Sequence, residues 1–95
     1  MRSVFKYPIT FAEITPIELP VGAKPLYFNV QEYNKPFVWV EIDTVQKIAQ
    51  TWNFYMRGTG HEVPEGAGYL GSCLDGPFVW HLWYESPKPR NDALR

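Results

Sequence analysis

The sequence predicts a small, mostly β domain of antiparallel strands, arranged as a meander sheet, a sandwich or a partly open barrel with at most one short helix. Three observations support this prediction. Nine Pro and seven Gly interrupt the chain at short intervals, which favours short strands over long helices. Several of the intervening runs alternate apolar and polar residues with the period of a half-buried strand. Asp75-Gly76 lies between two such runs and indicates a β-hairpin.

Seven segments have the composition and periodicity of strands: residues 3–9, 13–19, 25–33, 37–43, 52–57, 69–74 and 78–85. Turns at 19–23 and 34–36 connect the second strand to the third and the third to the fourth. Residues 44–50 have helical spacing over too short a run, so we expect a loop or a single helical turn there. Residues 1–85 therefore form one predicted β-rich domain, and residues 86–95 form a predicted flexible tail.

The charge distribution limits the kinds of partner. The formal net charge is −1, but the last ten residues hold three basic groups and one acidic group, which leaves six basic and nine acidic groups elsewhere. A body of net charge −3 does not supply the many Lys and Arg side chains that neutralise a long nucleic acid. A small anion with one or two phosphates in a discrete pocket is still permitted.

The cysteine count, the apolar runs and the aromatic content predict the location and assembly of the protein. Cys73 is the only cysteine, so no internal disulfide and no cysteine metal cluster is expected. The sequence has no secretion-signal pattern and no apolar run of roughly 20 residues, the length that spans a bilayer, so we expect a cytoplasmic protein that does not enter a membrane. Four Trp, six Tyr and six Phe are more rings than a core of this size needs. The surplus favours a ligand site or a homodimer or higher homo-oligomer.

The segment from Arg57 to Pro64 is the most informative part of the chain for function. Gly58 and Gly60 flank Thr59, so the backbone can turn tightly and present N–H groups in a concave row, which binds anions. Arg57 and His61 stand on either side and can donate hydrogen bonds to the same anion. The alternative is an ordinary flexible loop. The segment is neither a Walker loop nor a dinucleotide fingerprint.

The last predicted strand has two different faces. Phe78, Trp80, Leu82 and Tyr84 share one face and resemble core residues, while His81 and Trp83 share the other face with Val79 and Glu85. Trp39 and Tyr55 can add to the second face, depending on strand pairing. Rings beside an anion site suit a nucleobase, since stacking contributes roughly 1–3 kcal/mol per base. The alternative is that Trp83 covers the sheet or lies in a dimer interface.

No arrangement of residues indicates catalysis or metal binding. His61 and His81 have no carboxylate or cysteine at ligand spacing. Cys73 lies in a predicted strand without a nucleophile signature around it. Glu62 and Glu65 are neighbours in a loop, where carboxylates are usually solvated. We therefore expect a protein that is not an enzyme and needs no cofactor or metal.

Several motifs occur together in an order that resembles a known group of proteins. They are Val4-Phe5-Lys6-Tyr7, Leu19-Pro20-x-Gly22-Ala23-x-x-Leu26, Gln31, Phe37-x-Trp39-x-x-x-Asp43, Gly58-Thr59-Gly60-His61, Tyr69-x-Gly71 and Val79-Trp80-His81-Leu82. Over residues 3–85 the chain resembles a widespread group of small, uncharacterised proteins encoded by tailed bacteriophages and prophages. The resemblance implies a phage protein of the host cytoplasm, similar to the sponges that sequester cyclic oligonucleotide signals of CBASS immunity.

Three functions remain open at this point. The first is a non-enzymatic counter-defence protein that binds a cyclic di- or trinucleotide without cleaving it. In this hypothesis Trp39, Tyr55, Trp83 and His81 line the base sites, while Arg57, Thr59 and His61, with Gly58 and Gly60, contact phosphate. The second is an inhibitor that occludes a host nuclease or polymerase, with Trp39, Trp83 and the strand edges as the contact residues. The third is a minor accessory protein of the virion.

Overall fold

The computed structural model describes residues 1–87, so most of the predicted tail, residues 88–95, lies outside the described residues. Seven strands make up most of this region: β1 (Arg2–Pro8), β2 (Ile14–Pro20), β3 (Lys24–Gln31), β4 (Lys35–Asp43), β5 (Ala49–Gly58), β6 (Gly68–Asp75) and β7 (Phe78–Glu85). A 3₁₀ turn at Glu32–Asn34 is the one helical segment within residues 1–87. The predicted mostly β, antiparallel fold class is confirmed, and each of the seven strand segments forms a strand.

The strands form two antiparallel sheets that do not close into a barrel. The three-stranded sheet has the order β1-β4-β3, and the four-stranded sheet has the order β2-β5-β7-β6. Only β3–β4 and β6–β7 are pairs of consecutive strands, whereas β1 and β2 each pair with the strand three places later. The chain thus alternates between the sheets at its start, and only its two hairpins follow a simple meander.

Alternation along the strands sets which side chains face the core. In β4, Val38, Val40 and Ile42 are buried, and the intervening Phe37 and Trp39 lie on the outer face. The same period occurs in β5, where the buried side chains of Trp52, Phe54 and Met56 alternate with outer-face residues. This is the pattern expected of antiparallel sheets with one face toward a core.

Both sheets contribute to one hydrophobic core. Its most completely buried side chains are Phe54, Leu19, Leu82, Val38 and Val40. Full burial of a side chain of this type contributes about 1.5–3 kcal/mol relative to exposure. Edge strand β1 is largely exposed and contributes no buried side chain to the core, unlike the other six strands.

The two hairpins turn in different ways. Asp75 pairs with Phe78, so Gly76 and Pro77 form a two-residue loop. The φ of Gly76 is +59°, and because proline cannot adopt a positive φ, this loop matches type II′ rather than type I′. Between β3 and β4 the predicted strand end at residue 33 is wrong, because β3 stops at Gln31. The three residues that follow close the reversal, and two of them, Tyr33 and Asn34, adopt left-handed backbone conformations.

The segment 44–50 contains no helix. Thr44 donates its N–H to the Met1 carbonyl at 2.8 Å, and Val21 donates to the Ile48 carbonyl at 2.8 Å, so backbone contacts to other segments hold this connection. β5 then begins at Ala49, three residues before the predicted start. At three residues, the helical segment within residues 1–87 is far short of the length that crosses a bilayer.

Candidate functional site

Strand β5 ends in a tight turn formed by residues 58–61. The His61 N–H donates to the Gly58 carbonyl at 3.1 Å, and Gly60 has a φ of +90°, a conformation that favours glycine. The Gly58 N–H in turn donates to Nδ1 of His61 at 3.2 Å. An accepting Nδ1 in a neutral ring requires the proton on Nε2. The exposed His61 therefore presents a hydrogen-bond donor next to the turn.

The central N–H groups of this turn are available to a ligand. Thr59 and Gly60 donate no backbone hydrogen bond within residues 1–87. Their N–H groups follow one another along a glycine-containing turn, the kind of backbone arrangement that binds anions. The anion donors predicted from the Gly-Thr-Gly sequence are thus present and unused.

His81 fixes the turn against the outer face of the four-stranded sheet. Its Nε2 lies 2.9 Å from Oγ1 of Thr59, and its Nδ1 lies 3.2 Å from the hydroxyl of Tyr69. Both ring nitrogens are therefore engaged. His81 pairs with Arg57 in the β5–β7 register, which brings these two predicted site residues side by side. We conclude that His81 positions Thr59.

Arg57 organises the polypeptide around the turn. Its Nε donates to the Glu62 carbonyl at 2.8 Å, and Nη1 donates to the carbonyls of Glu13 at 2.8 Å and Met56 at 3.3 Å. These bonds connect β5 to the residue before β2 and to the β5–β6 loop. Nη2 is the guanidinium nitrogen that forms no hydrogen bond within residues 1–87, so the phosphate contact predicted from the sequence would involve that nitrogen. Arg57 is primarily an anchor of the loop.

Two hollows lie on either side of the turn and share three of its residues. The larger hollow has a volume of about 490 Å³ and is lined by Gly58, Thr59, His61, Pro77, Phe78, Val79 and Trp80. The smaller hollow has a volume of about 200 Å³ and is lined by Arg57, Gly58, Thr59, Gly60, His61, Val63, His81 and Trp83. A ligand at the turn can therefore reach an aromatic side chain from either hollow.

The larger hollow lies where β7 extends beyond the end of β5. Gly58, the last residue of β5, pairs with Trp80, whereas β7 begins two residues earlier at Phe78. The β5-facing side of residues 78–79 consequently lacks a neighbouring strand. The Phe78 side chain is 63% exposed, so its ring is available at the rim. The alternating pattern assigned Phe78 and Trp80 to the core. Trp80 is paired with Gly58 and packs against the core, whereas Phe78 lies beyond the end of β5 and is exposed, so the assignment is wrong for Phe78.

Aromatic side chains form a row across the outer face of the four-stranded sheet. Trp83 is in register with Tyr55 on one side and Tyr69 on the other, and its ring meets the Tyr69 ring edge-on at 4.9 Å between centroids. The Tyr55 hydroxyl donates to Oε1 of Glu85 at 2.8 Å. Burial raises the pKa of Tyr55, and the bond to Glu85 adds to that shift. Tyr55 is buried, and Trp83 is the member of this row that lines the smaller hollow.

Seven of the nine predicted site residues therefore meet in one place: Arg57, Gly58, Thr59, Gly60, His61, His81 and Trp83. Tyr55 lies beside them but is covered. Trp39 lies on the three-stranded sheet, where its ring contacts Tyr27 and Phe37, and it lines neither hollow at the turn. Sequence reasoning missed the role of Phe78 and Trp80, and the signal for it was their position next to a hairpin turn.

The polar groups at the turn are mainly uncharged hydrogen-bond donors. Among residues 1–87 no three His, Cys, Asp or Glu side chains converge as metal ligands. Burial, and to a smaller extent Asp75, raises the pKa of the Cys73 thiol, which disfavours the thiolate needed of a nucleophile. The donors at the turn are neutral N–H groups, suited to hold an anion by hydrogen bonds rather than by a strong positive field.

Comparisons with known proteins place the chain in one family. Residues 1–92 match the model of a family described as a domain of unknown function (DUF7352), and the chain belongs to that family. No curated protein and no solved structure matches it. The family assignment thus carries no activity.

Proposed function

We propose that this protein is a non-catalytic binding protein that sequesters a small nucleotide-type anion at the Gly58–His61 turn. The observation that carries the proposal is the position of the turn: unused N–H groups of Thr59 and Gly60 lie between two hollows that each contain aromatic side chains. Anion donors beside ring-binding surfaces match the two halves of a nucleotide.

The proposed ligand divides between the turn and the larger hollow. A phosphate accepts hydrogen bonds from the N–H groups of Thr59 and Gly60 and from Nε2 of His61. A base lies against Phe78 or Trp80, in a hollow whose volume is within the 300–1,000 Å³ range of small-molecule sites. Trp83 offers a second ring surface in the smaller hollow. Base stacking on one such ring contributes roughly 1–3 kcal/mol.

The ligand class that we propose is a cyclic di- or trinucleotide, bound without cleavage. The resemblance of the sequence to small phage proteins supports this class and a counter-defence role in the host cytoplasm. Exposed apolar side chains such as Leu74 and Phe78, at 80% and 63% exposure, support a homodimer or a higher homo-oligomer.

Thermal stability in the presence of a cyclic di- and trinucleotide panel tests the proposal. A ligand present at about 100 times its Kd stabilises the native state by roughly 2.7 kcal/mol. For a domain of this size that corresponds to a Tm increase of roughly 10–20 °C. If no member of the panel raises the Tm at millimolar concentration, the proposed ligand class is wrong.

Two glycine variants form a matched pair for locating the site. Gly60 and Gly22 have φ values of +90° and +89°, and a Cβ on either would have no atom within 4 Å. Alanine therefore imposes the same backbone strain at both positions, but only Gly60 belongs to the turn. We expect Gly60→Ala to weaken ligand binding at least tenfold while Gly22→Ala retains it. Equal affinities in the two variants would place the ligand elsewhere.

A second candidate function is inhibition of a host protein, which the tip of the β6–β7 hairpin favours. Leu74 and Phe78 flank the turn and are both largely exposed, and apolar anchors of this kind bind pockets in partner proteins. Leu74 lines neither hollow. Leu74→Asp should abolish capture of a stoichiometric host protein under this hypothesis. Under the ligand-binding proposal it should leave nucleotide affinity unchanged.

A further inference from the structure

We infer that a second binding site lies at the β3–β4 connection and accepts a small anion carried on a planar ring. The site is a hollow of about 250 Å³ lined by Lys6, Gln31, Glu32, Tyr33, Lys35 and Phe37. It belongs to the three-stranded sheet and shares no lining residue with the hollows at the Gly58–His61 turn. The inference is therefore independent of the proposed function.

The backbone of this connection reverses the chain and places an aromatic ring on the surface. Tyr33 has φ +60° and ψ +30°, and Asn34 has φ +57°, which places two consecutive non-glycine residues in the left-handed region. Asparagine tolerates this conformation, but a bulky residue such as tyrosine seldom adopts it. The Tyr33 side chain is 85% exposed, so burial of its ring does not offset the strain. The left-handed pair closes the β3–β4 hairpin and leaves the Tyr33 ring on the surface, where it lines the hollow.

The cations of the hollow have hydrogen-bonding capacity to spare. Lys6 Nζ donates to Oε1 of Gln31 at 2.8 Å and lies 4.4 Å from the centroid of the Phe37 ring. These contacts hold the ammonium in place and leave further N–H donors, since an ammonium has three. Lys35 forms neither an ion pair nor a side-chain hydrogen bond within residues 1–87.

The local charge is opposite to that of the rest of the protein. Two Lys and one Glu line the hollow, a net charge of +1, while residues 1–87 together hold six basic and nine acidic side chains. Glu32 forms no ion pair with either lysine within the described residues. Its carboxylate reduces the positive charge of the hollow but does not cancel it. An anion is attracted to this end of the sheet, and the Tyr33 and Phe37 rings supply faces for a planar group.

The ligand class is tested with three probes that separate the ring from the anion: phenyl phosphate, inorganic phosphate and phenol. Each is titrated into the full chain while the backbone amide resonances are followed by NMR. We expect phenyl phosphate to shift the Tyr33 and Lys35 amides saturably and to bind at least tenfold more tightly than either fragment. Equal affinities for phenyl phosphate and inorganic phosphate, or no shift at these amides, would overturn the inference. Adenosine monophosphate and O-phosphotyrosine then distinguish a nucleotide source from a phosphorylated amino acid source.

Two substitutions with opposite expected signs test the residues. Lys35→Gln should weaken phenyl phosphate binding about tenfold, which corresponds to about 1.4 kcal/mol, and Glu32→Gln should tighten it. Lys47→Gln, on an exposed loop residue, controls for total charge and should change nothing. If Lys35→Gln and Glu32→Gln change the affinity in the same direction, or neither changes it, the site is wrong.

The ring and the independence of the site are tested by two further variants. Tyr33→Gly removes the ring and permits the left-handed conformation, so the Tm should not fall although phenyl phosphate binding is lost. Retained binding by this variant would overturn the role of the ring. Gly60→Ala should leave phenyl phosphate binding at these amides intact, which separates failure of this site from failure of the turn.

Discussion

Replacing Arg57 with methionine asks whether this residue holds the loop or holds the ligand. The guanidinium donates to the Glu62 and Glu13 carbonyls at 2.8 Å, and it lies 5.3 Å from the centroid of the Tyr55 ring. Methionine keeps much of the apolar stem but none of these donors. We therefore expect a destabilised protein in which the β5–β6 loop has lost its connection to the start of β2.

The magnitude follows from the two short hydrogen bonds. A hydrogen bond to a charged group contributes about 1.5–3 kcal/mol, and the lower value applies because Arg57 is only half-buried. Two such bonds contribute about 3 kcal/mol, less the favourable solvation that the freed carbonyls regain. We expect a loss of about 2–3 kcal/mol, which lowers the Tm of a domain of this size by roughly 10–20 °C.

Thermal unfolding followed by circular dichroism measures this loss without any ligand. Lys47→Met is the matched control, because it removes a positive charge from an exposed residue outside the site, and its Tm should lie within about 2 °C of the unmodified protein. A Tm for Arg57→Met that equals the control value, together with lost ligand binding, would refute the anchoring role. It would restore Arg57 as a direct ligand contact.

Three further substitutions test other parts of the structure. Gly58→Ala places a Cβ 3.0 Å from Cε1 of His61, so we expect the ring to move away and calorimetry to show weaker nucleotide binding; unchanged affinity would argue against His61 as a donor. Gly68→Ala places a Cβ 2.4 Å from Cζ of Tyr84, so urea unfolding should show a loss of about 1–3 kcal/mol, and a neutral result would mean that β6 is misplaced. Burial raises the pKa of Tyr55 above its ordinary value of 10.0, so the native state favours the protonated phenol. The resulting stability is complete below pH 10 and is lost as the pH rises through the raised value. The free energy of unfolding, measured by urea titration, should therefore fall less between pH 8 and pH 11 in Tyr55→Phe than in the unmodified protein. An equal fall in the two proteins would contradict the raised pKa of Tyr55.

Strand positions could be predicted because side-chain alternation is a local property. The burial of Val38, Val40 and Ile42 on one face of β4 follows directly from the period of two. Pairing could not be predicted in the same way, since alternation determines which face is buried but not which strand lies alongside. The pairing of β1 with β4 joins Arg2 to Asp43 across forty-one residues, and no local signal marks it.

The candidate site was predictable in part for the same reason. Gly58, Thr59 and Gly60 are contiguous, so their turn could be inferred from their conformational freedom. The role of Arg57 was not predictable, because one of its acceptors is the carbonyl of a residue forty-four positions away and every residue has a carbonyl. Trp39 and Trp83 both lie on outer faces, and only the division of the strands between two sheets separates them.

The central claim, that the unused N–H groups of the turn bind the anion, is tested most directly by NMR. The amide proton resonances of Thr59 and Gly60 are followed while a cyclic dinucleotide is added to the full chain, with Gly22 as an internal reference. We predict a saturable downfield shift at both residues and none at Gly22. Ligand binding that leaves both resonances in place would contradict the account.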